Sequence, residues 1–401
     1  MQVTEIKNNI FWVGAVDWDV RDFHGYSTPS GTTYNAYLVK DEKIALFDTV
    51  KRAYSADLVE HIRQLVDPED IDYIIVNHVE MDHSGALPEI VDLVKPEKIY
   101  CSANGKKAMI AHFHREDWPY EVVKTGDTLS LGSRAVKFIE TRMLHWPDSM
   151  FSFIEEDGLL ISQDAFGQHW ATSERFDDEV DHSELFREAA KYYANILLPY
   201  SNLVQRLFAE LGTMGLRIDM IAPDHGLIWR KGVGEILAAW DTWSKQKTTN
   251  KVVIVYDTMW ESTKKMALAI ARGVAAEGVS VKMMNLQVCH RSDVITQALD
   301  AKAILVGSST LNNGMLPRVA DVLCYMKGLR PANKIGAAFG SYGWGGEAVK
   351  LVSAVLEEMK FELIDPGLRV NYVPTDADLE QCFELGKKTA VAAKESEPAV
   401  V

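Results

Sequence analysis

Tyr73-Ile-Ile-Val-Asn-His78-Val-Glu80-Met-Asp82-His83-Ser-Gly85 decides how this chain is read. Its apolar, β-branched opening predicts a short buried strand that runs out into four potential metal ligands within six positions. If the backbone stays extended past the strand, alternation puts His78, Glu80 and Asp82 on one side. A strand end suits a metal site, because the sheet fixes the backbone while the departing loop lets ligands converge. Three further segments repeat the pattern. Val136-Lys-Phe-Ile-Glu-Thr141 leads to His145, Leu159-Leu-Ile-Ser-Gln163 leads to Asp164, and Ile218-Asp-Met-Ile-Ala-Pro-Asp-His225 ends on its own histidine. Four such runs in the first 225 residues predict one shared site.

The candidate ligands are four imidazoles (His78, His83, His145, His225) and three carboxylates (Glu80, Asp82, Asp164). Seven donors exceed the needs of one tetrahedral ion, so two ions are the natural count. A carboxylate can bridge two cations, one through each oxygen, and Asp164 is assigned that role. Nitrogen and oxygen donors without thiolate suit iron, manganese or zinc, and ligand type leaves those three open. Adjacent Asp82 and His83 face one cavity only if the backbone bends sharply, which makes His83 the less expected ligand of the two. Isolated histidines such as His24, His182 and His290, taken alone, read as ordinary packed or surface residues.

Composition bounds the rest. A chain of 401 residues predicts two domains, and 47% hydrophobic content is ordinary for globular protein. No apolar run approaches the roughly 18–20 residues that span a bilayer, and the N-terminus lacks the basic and apolar regions of a signal peptide. Cys101, Cys289, Cys324 and Cys382 are far apart with no CxxC pair. That fits a reduced, cytoplasmic protein and excludes a built-in cysteine-ligated iron or iron–sulfur centre. A net charge of −15 disfavours nucleic acid and anionic membrane as partners.

Residues 1–66 predict short strands and turns followed by a helix near 54–66. Asp48, at a strand end, either supports the metal site or caps that helix. Helices near 86–95 and from about 104 flank a strand at 98–101. Helices do not follow every strand, so an αββα sandwich of two sheets with outer helices fits better than one doubly wound sheet. Helical periodicity covers 181–211 and 232–243. Ser244-Lys-Gln-Lys-Thr-Thr-Asn250 then reads as a linker, giving domains 1–248 and 249–401. From Val252 strands and helices alternate regularly, which predicts a doubly wound parallel sheet. The last dozen residues read as a frayed tail.

The order HxExDH, then His145, Asp164 and His225, resembles the metallo-β-lactamase-like domain of the flavodiiron proteins, specifically the A-type, rubredoxin:oxygen oxidoreductase-like members. Hydrolytic zinc members of that superfamily carry HxHxDH, and Glu80 stands where their second histidine stands. This adds a hard anionic ligand that favours ferric states. The resemblance implies one iron held by His78, Glu80 and His145, the other by Asp82, His83 and His225, with Asp164 bridging. It also implies His24 and Tyr193 beside bound oxygen species, against a plain packing role for Tyr193.

The second half supports this independently. After the strand at 252–257, Thr258-Met259-Trp260-Glu261-Ser262-Thr263 opens into a helix, a natural phosphate site built from hydroxyls and free N–H groups. It looks like the flavodoxin FMN-phosphate loop, provided Glu261 points away. GxGxxG is absent after the strand, which favours a mononucleotide. Two more loops fall where such a domain wraps the flavin ring. One carries Ser308, Thr310, Asn312, Asn313 and Gly314; the other carries Ser341, Tyr342, Gly343, Trp344 and Gly345.

Together these features imply an oxidoreductase that passes electrons through FMN to a di-iron site reducing dioxygen to water, nitric oxide to nitrous oxide, or both. The alternative is a metallo-hydrolase with a regulatory flavodoxin-like domain; a pure electron-transfer module leaves seven ligands unexplained. The resemblance further implies a head-to-tail homodimer or a dimer of dimers, and a rubredoxin-like donor. Arg318, Lys327, Arg330 and Lys334 form the candidate docking surface for an acidic donor.

Overall fold

Two sheets lie face to face in the first half of the computed structural model, which describes residues 2–395. One has seven strands and includes Tyr37–Lys40, Ile44–Phe47, Tyr73–Val76 and Lys98–Ser102; the other has five, among them Ala135–Glu140, Met150–Ile154, Leu159–Ile161 and Met220–Ala222. Strand alternation divides the side chains. Tyr37, Val39, Phe47 and Ile75 join Phe138, Met150, Ile161 and Met220 in the layer between the sheets. Leu38, Leu46, Ile74 and Val76 face the opposite way, against Leu58 and Ile62 of helix Ser55–Arg63 and Leu87, Ile90 and Val91 of helix Leu87–Val94. This is the expected αββα arrangement.

The second half is built on one parallel sheet. Strands Ser280–Asn285, Thr249–Tyr256, Ala301–Gly307, Ile335–Tyr342 and Leu368–Asn371 lie in that spatial order, so the second strand in sequence sits at the edge and the first inside it. That is the flavodoxin-like order, in which ligands sit at the carboxyl ends of the strands. Helices Ser262–Ala276, Arg291–Ala298, Pro317–Leu329 and Glu347–Glu358 alternate with the strands.

A fifth helix, Asp376–Glu395, takes up part of the segment read as a frayed tail. Cys382, Leu385, Ala390 and Ala393 are buried in the same core as Val252, Ile254, Met266 and Ile270. The helix crosses Ser262–Ala276 closely: a Cβ at Gly386 would collide with the Ile270 carbonyl, and one at Gly273 with that of Phe383. The expectation of a frayed end fails through residue 395 because small residues let two helices touch; residues 396–401 lie outside the description.

Clustering of contacts gives two units. One takes the chain up to His24, then Thr28–Tyr193 and Asn202–Asp241; the other takes Gly25–Ser27, Ala194–Ser201 and everything described from Thr242 onward.

Candidate metal centre and flavin loops

The strand Tyr73–Val76 ends at Asn77, which is clamped from both sides. Asp48 accepts its backbone N–H and its side-chain amide, both at 2.7 Å, and Ser152 Oγ donates to its Oδ1 at 2.7 Å. Asp48 therefore anchors the ligand loop and caps no helix. Burial lifts its carboxyl to about 6 against the pull of Asn77. The chain does not stay extended past His78: Met81–Ser84 forms a helical turn. That turn supplies the bend for Asp82 and His83, so His78 and Glu80 face one cluster while Asp82 and His83 face another, not three alternating ligands on one side.

The ligand atoms fall into two groups, His78, Glu80, His145 and Asp164 in one and Asp82, His83 and His225 in the other, each with its atoms within 4.8 Å of one another. Asp164 Oδ2 lies 2.8 Å from His145 Nε2 and 3.3 Å from His78 Nε2. Its other oxygen lies 3.0 Å from His83 Nε2 and 3.5 Å from His225 Nε2. Glu80 Oε2 completes the first group, 3.3 Å from His78 and 3.2 Å from His145. Asp82 Oδ2 completes the second, 3.2 Å from His83 and 3.0 Å from His225.

These separations fit shared ions. Donors at about 2.1 Å from one cation stand roughly 3.0–3.5 Å apart at octahedral to tetrahedral angles. Both oxygens of Asp82, Oδ1 of Asp164 and both nitrogens of His83 are buried and make no hydrogen bond among the described residues. Buried polar atoms rarely go without partners, and a cation supplies one. Burial works against charge on Asp164, yet His83, His145 and His78 hold its carboxyl well below the usual range. Burial likewise opposes charge on His83, but Asp82, Asp164 and Asp224 push the imidazole up to about 10. Metal ligation needs the carboxylates ionised and the imidazoles neutral, so metal binding is coupled to proton release.

His24 reaches this site: its Nε2 lies 2.9 Å from Glu80 Oε1 while about half its side chain stays exposed. The Glu80 contact raises its pKa, with burial opposing. Tyr193 is fully buried, with its ring edge-on to Trp240. The tyrosine facing the carboxylates is Tyr192, whose hydroxyl is pushed well above its usual pKa by burial and then by Asp164, Asp82 and Glu80. Its ring meets His169 at 5.0 Å and His225 at 6.0 Å. The sequence signal marks both tyrosines alike: with Leu185 and Ala189 buried on helix His182–Tyr192, Tyr192 stands at i+3 and Tyr193 at i+4 from Ala189, and both are buried. Asp148, 3.0 Å from His78 Nδ1, carries no such signal.

The three candidate flavin loops all leave carboxyl ends of parallel strands, after Tyr256, Gly307 and Tyr342. Helix Ser262–Ala276 starts without a side-chain cap, and Thr258 Oγ1 is buried with no partner among the described residues. Both features suit an anionic phosphate. Glu261 points away, its carboxylate 2.6 Å from Lys264. A cavity of about 540 Å³ opens beside Thr258, Met259, Gln287 and Arg318. Thr263 Oγ1 ties the loops together, 2.9 Å from Ser309 and 3.0 Å from Ser341. The second loop is a small hairpin, Thr310–Leu311 paired with Gly314–Met315, turning through Asn312 and Asn313 at positive φ. Ser308 Oγ accepts from Leu316 N, and Asn371 donates to the Gly343 carbonyl at 2.6 Å. Trp260 and Trp344 are the most exposed large apolar side chains described, at 84% and 90%. Tyr342 is half-buried, and Gly345 and Met259 are exposed.

Of the proposed docking cations, Lys334 is buried and donates to the carbonyls of Leu299 and Ala301, so it leaves that surface. Lys327 is half exposed and paired with Glu358 at 2.5 Å; Arg318 lies 3.7 Å from Asp257.

Comparison with known proteins matches both halves. Residues 32–226 match the model described as ODP family beta lactamase, and residues 254–386 match the flavodoxin model. A nitric oxide reductase of Moorella thermoacetica is 50% identical over 97% of this chain and 98% of its own. A rubredoxin-oxygen oxidoreductase of Megalodesulfovibrio gigas is 49% identical, covering 98% and 99%. The crystal structure of the flavodiiron protein from Giardia intestinalis superposes with a TM-score of 0.96 at 34% identity, covering 98% of this chain and 97% of that one. With its paired carboxylate–imidazole clusters and its flavodoxin-like loops, this chain belongs to the flavodiiron family.

Proposed function

We propose that this protein is an oxidoreductase that takes electrons from a small donor protein, holds them on FMN and delivers them to a di-iron centre that reduces dioxygen to water, nitric oxide to nitrous oxide, or both. One observation carries the reading: the two oxygens of Asp164 face two separate ligand groups. When bound, FMN supplies one- and two-electron transfer and the irons supply a site for reducing a small oxidant. Reducing dioxygen to two waters consumes four electrons and four protons; joining two nitric oxide molecules into nitrous oxide and water consumes two of each.

This chain's own residues organise that chemistry. Asp164 spaces the two ligand groups. His24 links solvent to Glu80 through a hydrogen bond at Nε2, so it can carry protons inward. Tyr192 keeps its proton and offers a hydroxyl beside the carboxylates. Buried aromatic rings around His225, namely Tyr34, His169 and Tyr192, exclude bulk water. Thr258, Ser262 and the first turn of helix Ser262–Ala276 hold the flavin phosphate, and the loops carrying Asn312 and Trp344 hold its ring. Glu80 stands against the hydrolase alternative, since it adds negative charge where hydrolytic sites carry imidazole.

The functional domains are residues 1–248 and 249–401. A rubredoxin-like protein as donor is supported by the name of the Megalodesulfovibrio relative. Arg318, Lys327 and Arg330 remain candidates for its docking surface. A head-to-tail homodimer, alone or paired into a tetramer, would bring each flavin to its partner's irons. Four free cysteines support a cytoplasmic site of action. No described helix is long and apolar enough to cross a membrane.

Replacing Asp164 by asparagine tests the reading. D164N should lose at least one iron per chain and its reductase activity while keeping FMN, read by metal analysis and the visible spectrum. Full iron content with unchanged turnover would remove Asp164 from the site.

A further inference from the structure

His78 turns Nε2 toward Glu80 and Asp164, so its other ring nitrogen faces outward from the cluster. That Nδ1 lies 3.0 Å from Asp148 Oδ2, and the same oxygen accepts the Val79 N–H at 2.7 Å. Both side chains are buried, at 0% exposure for His78 and 3% for Asp148. The aspartate is itself held, since Ser102 Oγ donates to its backbone carbonyl at 2.7 Å. The second ligand group has weaker support behind its imidazoles. His225 Nδ1 meets a neutral acceptor, the Thr33 carbonyl, at 2.6 Å. His83 Nδ1 stands 3.4 Å from Asp224 Oδ2, and neither atom makes a hydrogen bond among the described residues.

We propose that Asp148 is a positioning residue that makes the two irons electronically unequal. By accepting the Nδ1 proton it fixes the His78 tautomer, and its charge makes the imidazole a stronger donor. A stronger donor favours the more highly charged metal. The iron held by His78, Glu80 and His145 therefore stays ferric to lower potential, and in the one-electron-reduced protein the ferrous ion resides with Asp82, His83 and His225. This rests on the di-iron reading above.

D148N is the informative substitution, because an amide oxygen still accepts from His78 and Val79 while the charge is gone. In the full-length, FMN-replete, iron-loaded protein, a redox titration followed by electron paramagnetic resonance reads both iron potentials through the mixed-valent signal. The second reduction should move to higher potential while the first stays in place, so the mixed-valent population shrinks. Two potentials equal to those of wild type, with two irons bound, would overturn the proposal. An equal rise in both would overturn the inequality it asserts. If D148N fails to hold two irons, D148E decides: recovery of iron and of the wild-type signal supports a role for the charge, and equal iron loss in both variants refutes it. Wild-type protein that binds no iron would defeat the di-iron reading instead.

Discussion

At the scale of single residues, position relative to the core separates function from packing. Lys334 shows this outside the metal site. Burial lowers its pKa from the usual value near 10.5 to about 7, with Asp300 opposing and Lys302 and Lys251 adding to the effect. Because the folded value lies below the unfolded one, the unfolded chain binds more protons between about pH 7 and 10. Stability attributable to this group therefore rises with pH across that window and is lost as pH falls through 7. The wild-type stability minus that of K334M should rise between pH 7 and 9, by an amount on the order of a few kcal/mol. Chemical denaturation at several pH values measures it, and parallel curves would show that the ammonium is not strained. The loss of two carbonyl partners shifts both ends of the window equally, so the slope isolates the charge. Tyr192 and Tyr193 make the same point about position: both are buried at one helix end, yet Tyr192 faces the carboxylates while the Tyr193 ring packs on Trp240.

Among the elements, the turn from Thr258 into helix Ser262–Ala276 carries the clearest expectation. Its uncapped N-terminus and the orphaned Thr258 hydroxyl leave donors for a phosphate. Replacing Thr258 and Ser262 by alanine together should weaken FMN by about 1–3 kcal/mol per hydrogen bond lost. Fluorescence titration of the apoprotein measures this, and equal affinities would place the phosphate elsewhere. Most elements were legible beforehand because apolar runs such as Val252-Val-Ile-Val and Tyr73-Ile-Ile-Val mark buried strands, and ligands follow those runs directly. Helix Asp376–Glu395 was not: apart from Leu385 its buried face is made of Cys382, Gly386, Thr389, Ala390 and Ala393, too small and polar to stand out as a stripe. The support from Asp148 was hidden for another reason. It depends on 70 residues of separation closing up between His78 and its loop, which no local pattern encodes.

For the whole molecule, activity should depend on association. If each flavin serves the partner's irons, mixed dimers of one subunit lacking iron and one lacking FMN retain one competent pair, and about half the wild-type turnover per dimer follows from that symmetry. Co-purification with two affinity tags and a nitric oxide or oxygen electrode checks this; full activity in isolated monomers would refute it. The close crossing at Gly273 and Gly386 bears on how such a protein comes into being. Every strand that carries a flavin loop is synthesised before the helix that closes one face of their sheet. A nascent chain that has emerged only through Asn371 thus exposes Ile254, Met266 and Ile270 on a surface awaiting its cover. That face of the parallel sheet is therefore covered only once the helix Asp376–Glu395 has been released and docked.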